Sequence, residues 1–96
     1  MIAFEFGPAS DDLFRAVLAL ETVEECERFF RDLCTLSELR ALTERWQVVR
    51  KLEEGRPYRA ISEETGVSTA TITRVAHWLQ QGEGGYRLAL DRLTGE

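Results

Sequence analysis

The chain has 96 residues, of which 12 are basic and 17 acidic, and its net charge is −5 at pH 7. A chain of this length forms one domain with a small core relative to its surface, and it has no apolar run of about 18 residues that would span a membrane. The N-terminus lacks the basic leader of a signal peptide and is interrupted by Glu5, so we expect a cytoplasmic protein with no membrane partner.

Two helices are predicted in the N-terminal third of the chain. Ser10, which precedes two aspartates, has the residue type and the acidic neighbours of a helix cap. Thr22 has Glu25 three residues later, which is the capping-box pattern at the start of a second helix. Apolar residues follow each cap at helical spacing: Leu13, Phe14, Val17, Leu18 and Leu20 in the first helix, and Val23, Cys26, Phe29, Phe30 and Leu33 in the second.

A third and longer helix is predicted for Leu36–Glu54. Thr35 with Glu38 repeats the capping-box pattern, or Ser37 caps the helix one turn later. Gly55 ends this helix, because glycine commonly follows the last helical residue.

The N-terminal helices carry more large apolar surface than a short helical chain readily covers by itself. The aromatic residues concerned are Phe4, Phe6, Phe14, Phe29, Phe30 and Trp46. We therefore expect residues 10–54 to be dimerisation helices and the protein to be an interlocked homodimer. The alternative is a monomeric core that encloses all of these side chains.

Residues 56–81 have the pattern of a helix-turn-helix. Pro57 suits the first position of a short helix, which contains the apolar Ile61. Gly66 provides the left-handed backbone conformation of the turn. Val67 fills the turn, and Ser68 caps the second helix.

The second helix of this motif is predicted to have one apolar face. Ile72, Val75 and Leu79 recur at helical spacing and are expected to face the core. The residues expected to point outward are Thr69, Ala70, Thr73, Arg74 and His77. Small hydroxyl side chains followed by an arginine suit a helix that lies in the major groove of DNA. The alternative is a helical corner that packs a core and binds no nucleic acid.

The acidic charge is unevenly distributed. Residues 1–54 hold 7 basic and 12 acidic side chains, whereas residues 55–96 hold 5 of each. Within the motif, Arg56, Arg59 and Arg74 oppose Glu63 and Glu64. We expect a weakly positive patch on an acidic body, with poor non-specific affinity for double-stranded DNA and a need for a dimer.

The C-terminal part is predicted to contain a flexible break from Gln80 to Gly85 and a last helix over residues 86–94. Tyr86, Leu88, Leu90 and Leu93 form its apolar side. Since no strand pattern occurs anywhere, we predict an all-α, multi-helix fold and a single helical DNA-binding domain over residues 1–96.

The chain offers no pattern typical of an enzyme or a metal site. His77 is the single histidine, and no nucleophile–histidine–acid or phosphate-loop pattern accompanies it. Cys26 and Cys34 are eight residues apart without a CxxC, so free thiols are favoured over a metal or redox site. We expect no enzymatic activity, no metal and no cofactor.

Two segments together resemble the tryptophan repressor superfamily. One is Ala70–Arg74 (A-T-I-T-R) behind a helix that ends in glycine, and the other is Leu33–Arg45 (L-C-T-L-S-E-L-R-A-L-T-E-R). With its G-G-Y-R-L-A-L-D-R-L ending, the chain is most similar to the tryptophan-repressor-related branch. The resemblance implies an intertwined, all-helical homodimer that represses transcription from an operator.

The resemblance also implies DNA contacts. The family's contacting positions fall on Arg59, Ser62, Thr69, Ala70, Thr71 and Thr73, and Ser62 stands where tryptophan-responsive members have lysine. Arg59 suits a guanine edge, and the threonines suit phosphates, waters or a thymine methyl. We add the outward-facing residues of the second helix, its cap Ser68 and the neighbouring Arg56. The predicted DNA-binding residues are Arg56, Arg59, Ser62, Ser68, Thr69, Ala70, Thr71, Thr73, Arg74 and His77.

The family's corepressor pocket is only partly retained. Thr35, Arg45 and Arg74 match positions that bracket the ligand, whereas Val75 replaces a glycine and Trp78 a serine. We expect Trp78 to fill part of the pocket with Arg45 and Arg74 stacked nearby, or else to be an ordinary core residue. An effector other than tryptophan is then possible. The alternative function is a dimeric protein-interaction module whose helix-turn-helix no longer binds DNA.

Overall fold

The computed structural model describes residues 4–95, and all of its regular structure is helical. The helices are α1 (Pro8–Leu18), α2 (Val23–Leu33), α3 (Leu36–Glu53), α4 (Tyr58–Thr65), α5 (Thr69–Gln81) and α6 (Gly85–Leu93). The prediction of an all-α, multi-helix fold is confirmed. None of the helices in this part of the chain is both long and apolar enough to cross a membrane.

Helix α1 begins earlier than predicted, and Ser10 is not its cap. Gly7 occupies the cap position and Pro8 the first helical position, where its lack of an N–H costs nothing. The Ser10 hydroxyl accepts from the Gly7 amide at 2.9 Å and donates to the Gly7 carbonyl at 3.0 Å. Ser10 thus satisfies the free end of the helix from its third position.

The predicted threonine caps of α2 and α3 are confirmed. The Thr22 hydroxyl accepts from the Glu25 amide at 3.1 Å. At the start of α3, Thr35 rather than Ser37 is the cap: the Glu38 amide donates to the Thr35 hydroxyl at 3.1 Å, and the Thr35 amide donates to the Glu38 carboxylate at 2.8 Å. This hydrogen bond from the Thr35 backbone lowers the pKa of Glu38 below 4.5.

The predicted boundaries of α3, α4, α5 and α6 differ from the structure by one or two residues. Helix α3 ends at Glu53, one residue early, and Pro57 is the cap of α4 rather than its first residue. The predicted break over residues 80–85 is shorter, because α5 continues to Gln81 and α6 begins at Gly85. A polar pair at the end of an apolar helix extends that helix at no packing cost, so composition alone places such a boundary poorly.

The chain divides into two compact units, one ending at Leu39 and the other beginning at Arg40. The second unit contains the core, which consists of Val48, Val49, Ile61, Val67, Ile72, Val75 and Leu90. Trp46, Leu52, Leu79 and Tyr86 pack against it. A bidentate pair joins α6 to α3, with the Arg87 guanidinium donating to the two Glu53 carboxylate oxygens at 2.8 and 2.9 Å.

The first unit, over its described residues, has no buried side chain. Phe4 and Phe6 are 72% and 73% exposed and meet edge to face, with their ring centroids 5.1 Å apart. Phe14 is 45% exposed. Cys26 and Cys34 are half-buried free thiols.

Candidate nucleic-acid interface

The turn between α4 and α5 has the geometry that the sequence predicts. Gly66 has φ +77° and donates its amide to the Ser62 carbonyl at 2.9 Å. Val67 is 4% exposed and fills the turn. The Ser68 hydroxyl accepts from the Thr71 amide at 3.2 Å and so caps α5.

Thr65 adds a link that sequence reasoning did not identify. Its hydroxyl donates to the Ile61 carbonyl at 2.7 Å and accepts from the Val67 amide at 3.1 Å. The side chain thereby bridges the last turn of α4 and the turn itself. Its signal in the sequence was a threonine directly before the turn glycine, since short hydroxyl side chains bond nearby backbone groups.

One face of α5 packs in the core, so the opposite face of the helix points to solvent. Ile72, Val75 and Ala76 are buried, and Ile72 and Val75 lie in the same cluster as Ile61 of α4. Thr69, Ala70, Thr73, Arg74 and His77 are exposed, as predicted, and Trp78, Gln80 and Gln81 further along the helix are exposed as well. This second helix therefore presents a narrow edge of small side chains, one guanidinium and one imidazole.

The threonine hydroxyls on this edge are not equivalent. The Thr73 hydroxyl donates to the Thr69 carbonyl at 2.9 Å, which leaves it as an acceptor toward any outside group. Thr71 is half-buried and accepts from the Ser68 hydroxyl at 3.1 Å. The Thr69 hydroxyl has no intramolecular hydrogen bond within residues 4–95. Of the three hydroxyls, that of Thr69 is therefore the most available for a hydrogen bond to another molecule.

The basic residues of the motif fall into two groups. Arg59 and Arg74 are exposed and form no ion pair with any described residue. Arg56, in contrast, pairs through Nη1 with the Glu64 carboxylate, and its Nε lies 3.3 Å from a carboxylate oxygen of Glu54. The expectation that Arg56 adds to a positive patch is corrected, because two carboxylates neutralise it.

A cleft lies beside the exposed edge of α5. It measures about 290 Å³ and is lined by Ala41, Glu44 and Arg45 of α3, Thr71, Arg74, Val75 and Trp78 of α5, and Tyr86 of α6. The α3 and α5 residues recur three or four positions apart, so one stripe of each helix forms a wall. Two guanidiniums and two aromatic side chains thus line one small cavity.

The structure brings together four of the five predicted pocket residues. Arg45, Arg74, Val75 and Trp78 line the cleft. Thr35 does not, and it instead caps α3. Sequence reasoning missed Ala41, Glu44 and Tyr86. Ala41 and Glu44 had a usable signal, since Ala41 precedes Arg45 by four residues and Glu44 by three, and residues at these spacings are neighbours on a helix surface. Tyr86 had none, because it reaches the cleft from α6.

Trp78 lines the cleft and is not an ordinary core residue. It is 54% exposed, and the cleft beside it stays open. Its ring neighbour among the described residues is His77, with centroids 5.3 Å apart, rather than a stacked arginine. The prediction of an ordinary core residue is wrong. The indole forms one wall of the cavity, and the prediction that it occupies part of the ligand's space stays a prediction.

Comparison with known proteins identifies relatives along nearly the whole chain. The family described as Trp repressor protein matches residues 9–94. The uncharacterized protein YerC of Bacillus subtilis (strain 168) is 49% identical over 87 residues, which cover 91% of this chain and 84% of YerC.

Two crystal structures share the fold. A TrpR-like protein from Eubacterium eligens ATCC 27750 has a TM-score of 0.86 at 43% identity, covering 90% of this chain and 89% of its own. A Staphylococcus aureus protein provisionally assigned as a Trp repressor has a TM-score of 0.88 at 47% identity, covering 95% and 91%. On this combination of sequence match, fold and helix-turn-helix geometry, the chain belongs to the Trp repressor protein family.

Proposed function

We propose that this protein is a transcriptional regulator, a repressor, that binds operator DNA sequence-specifically through α4 and α5. The observation that carries the proposal is the exposed edge of α5. Ile72 and Val75 are anchored in the core, while Thr69, Thr73 and Arg74 face outward. A helix entering the major groove needs slim side chains in its first turns and a guanidinium able to reach a base or phosphate.

We propose that the active form is a homodimer built on residues 10–54. Helices α1 and α2 contain no buried residue. Their exposed apolar side chains include Leu13, Phe14, Leu18, Val23 and Leu33, and exposed apolar surface of this kind is typical of a protein–protein interface. Two subunits also supply the two reading helices that a pair of operator half-sites requires.

The cleft supports a proposal about regulation by a small molecule other than tryptophan. Arg45 and Arg74 would attract an anionic group, and Trp78 and Tyr86 would contact a planar one. Val75 and Trp78 stand where tryptophan-responsive relatives have smaller residues, so the indole of free tryptophan has less room. We expect calorimetric titration with L-tryptophan to give no micromolar binding. Clear micromolar binding would show this proposal to be wrong.

The DNA-binding proposal is tested by fluorescence anisotropy on labelled genomic fragments at low and physiological salt. The wild-type protein is expected to bind, and Arg59→Ala and Thr73→Ala to lose affinity while the dimer persists. Arg92→Ala is the matched control, because Arg92 is also exposed but lies at the end of α6. Absence of binding at low salt, where phosphate contacts are strongest, would contradict the proposal.

A second candidate function is a dimeric protein-interaction module that does not bind DNA. Its support is the net charge of −5 and the pairing of Arg56 with Glu64. The same anisotropy experiment separates the two candidates, since this module would show no affinity for any fragment at any salt concentration.

A further inference from the structure

Glu64, in the last turn of α4, is the centre of an ion-pair cluster at one end of the helix-turn-helix. Its carboxylate pairs with the Arg56 guanidinium, which lies in the link before α4. The same carboxylate lies 3.6 Å from Nζ of Lys51, near the end of α3. Glu54 adds a second carboxylate at 3.3 Å from the Arg56 guanidinium. Two cations from outside α4 are therefore held by carboxylates.

The position of these cations gives the pairing a consequence for DNA binding. In a helix-turn-helix the first helix crosses the phosphate backbone, so cations near its ends are candidates for phosphate contacts. Each cation that neutralises a phosphate releases counterions and steepens the dependence of affinity on salt. A guanidinium already paired with a carboxylate contributes little to this counterion release and therefore little to DNA affinity.

The Arg56–Glu64 pair is accessible to a competing anion. The Arg56 and Glu64 side chains are 42% and 34% exposed, so water reaches both partners. An exposed ion pair opens at low cost because solvent and salt screen it. A phosphate is a strong, geometrically matched partner for a guanidinium. The Glu64 carboxylate and a DNA phosphate are thus alternative partners for the same cation.

We propose that Glu64 is an intramolecular counterion that competes with DNA phosphates for Arg56. It lowers the affinity of the protein for DNA of any sequence and leaves discrimination to the edge of α5. The inference rests on the proposed DNA-binding function. Glu63 provides a matched comparison, because it is the neighbouring, exposed glutamate and forms no ion pair with any residue from 4 to 95.

The test measures the affinity of four variants for a dye-labelled, mixed-sequence duplex of about 30 base pairs over a salt series by fluorescence anisotropy. Glu64→Gln is expected to bind several-fold more tightly than Glu63→Gln, although both remove one charge. If each subunit of a dimer gains the Arg56 contact, the slope of log affinity against log salt steepens by about 1.8 for Glu64→Gln. Arg56→Gln is made in the wild-type and the Glu64→Gln backgrounds. It should remove the gain in affinity that Glu64→Gln produces and should change the affinity of the wild-type protein little.

Three outcomes decide the inference. Equal affinities and slopes for Glu64→Gln and Glu63→Gln, with binding by the wild-type protein, overturn it and leave the proposed function standing. An equal loss from Arg56→Gln in both backgrounds also overturns it, because Arg56 then already contacts DNA. Absence of binding by every variant at low salt overturns both proposals. Circular dichroism melting of each variant confirms that the fold is intact.

Discussion

The two compact units of the chain differ in where their apolar side chains lie. In the second unit, which begins at Arg40, α3, α4, α5 and α6 share a core with four fully buried side chains: Val48, Val49, Ile61 and Ile72. In the first unit, from Phe4 to Leu39, every described side chain is at least partly exposed. Both units have amphipathic helices, so amphipathicity alone does not produce a core.

Charge separates the same two regions. Residues 1–39 carry nine acidic and three basic side chains, whereas residues 40–96 carry eight acidic and nine basic ones. The acidic region is also the one with no buried side chain among its described residues, and the nearly neutral region holds the helix-turn-helix. This contrast is the basis of the proposed division of labour, in which a second subunit would cover the first region and DNA phosphates would approach the second.

The largest expected effect is on assembly. Leu18 is 82% exposed, and Leu18→Asp would place a charge in the proposed subunit interface. We expect light scattering after size-exclusion chromatography to give about 22 kDa for the wild-type protein, twice the chain mass, and the monomer mass for the variant, because burying an unpaired carboxylate is costly. Ala70→Asp adds the same charge to the exposed edge of α5 and should remain dimeric. A monomeric wild-type protein would refute the assignment of the first region.

The core of the second region predicts the next largest effect. Ile72 is fully buried, so Ile72→Ala should lower the free energy of unfolding by about 2–5 kcal/mol through lost contacts and a residual cavity. Thr73 is the next residue but lies on the exposed edge of α5, so Thr73→Ala should change the free energy of unfolding by less than about 0.5 kcal/mol. Denaturant titration measures both. Similar losses for the two variants would mean that α5 is not anchored as described.

The turn of the helix-turn-helix predicts a smaller effect. Gly66 has φ +77° with open space where a Cβ would be, so Gly66→Ala costs about 1–2 kcal/mol of unfolding free energy from backbone strain alone. Gly85 also has open space but no left-handed backbone, and Gly85→Ala should be neutral or stabilising by up to about 1 kcal/mol. Thermal or denaturant unfolding separates the variants. Equal effects would exclude backbone strain as the cause.

The smallest expected effect concerns pH. The hydrogen bonds from Arg87 hold the pKa of Glu53 below 4.5. A carboxylate with a lowered pKa in the folded state contributes stability above its unfolded pKa, and that contribution is lost as the pH falls through the folded pKa. The unfolding free energy of Glu53→Gln should therefore approach that of the wild-type protein as the pH falls from 6 toward 3. Glu83→Gln, on an exposed residue with no ion pair among residues 4–95, should show no such convergence.

The sequence by itself determined the local features of the molecule. The caps at Thr22 and Thr35, the left-handed Gly66 and the Ser68 cap all depend on groups within four residues of one another. The direction of α5 was equally readable, because Ile72 and Val75 mark the buried side by their spacing. The Ser10 prediction failed for a local reason too, since Pro8 supplied an earlier start that competed with the serine.

Only the tertiary structure decided how separate helices meet. The cleft requires a particular stripe of α3 to face a particular stripe of α5, with Tyr86 reaching in from α6. Trp78 lies at the edge of the buried stripe of α5. The helical rotation of about 100° per residue places it there, but whether its side chain is buried depends on the neighbouring helix. The pairing of Arg56 with Glu64 crosses a helix start, so no intrahelical spacing rule predicts it. Contacts between segments depend on packing in three dimensions, and the linear order of residues does not encode that packing locally.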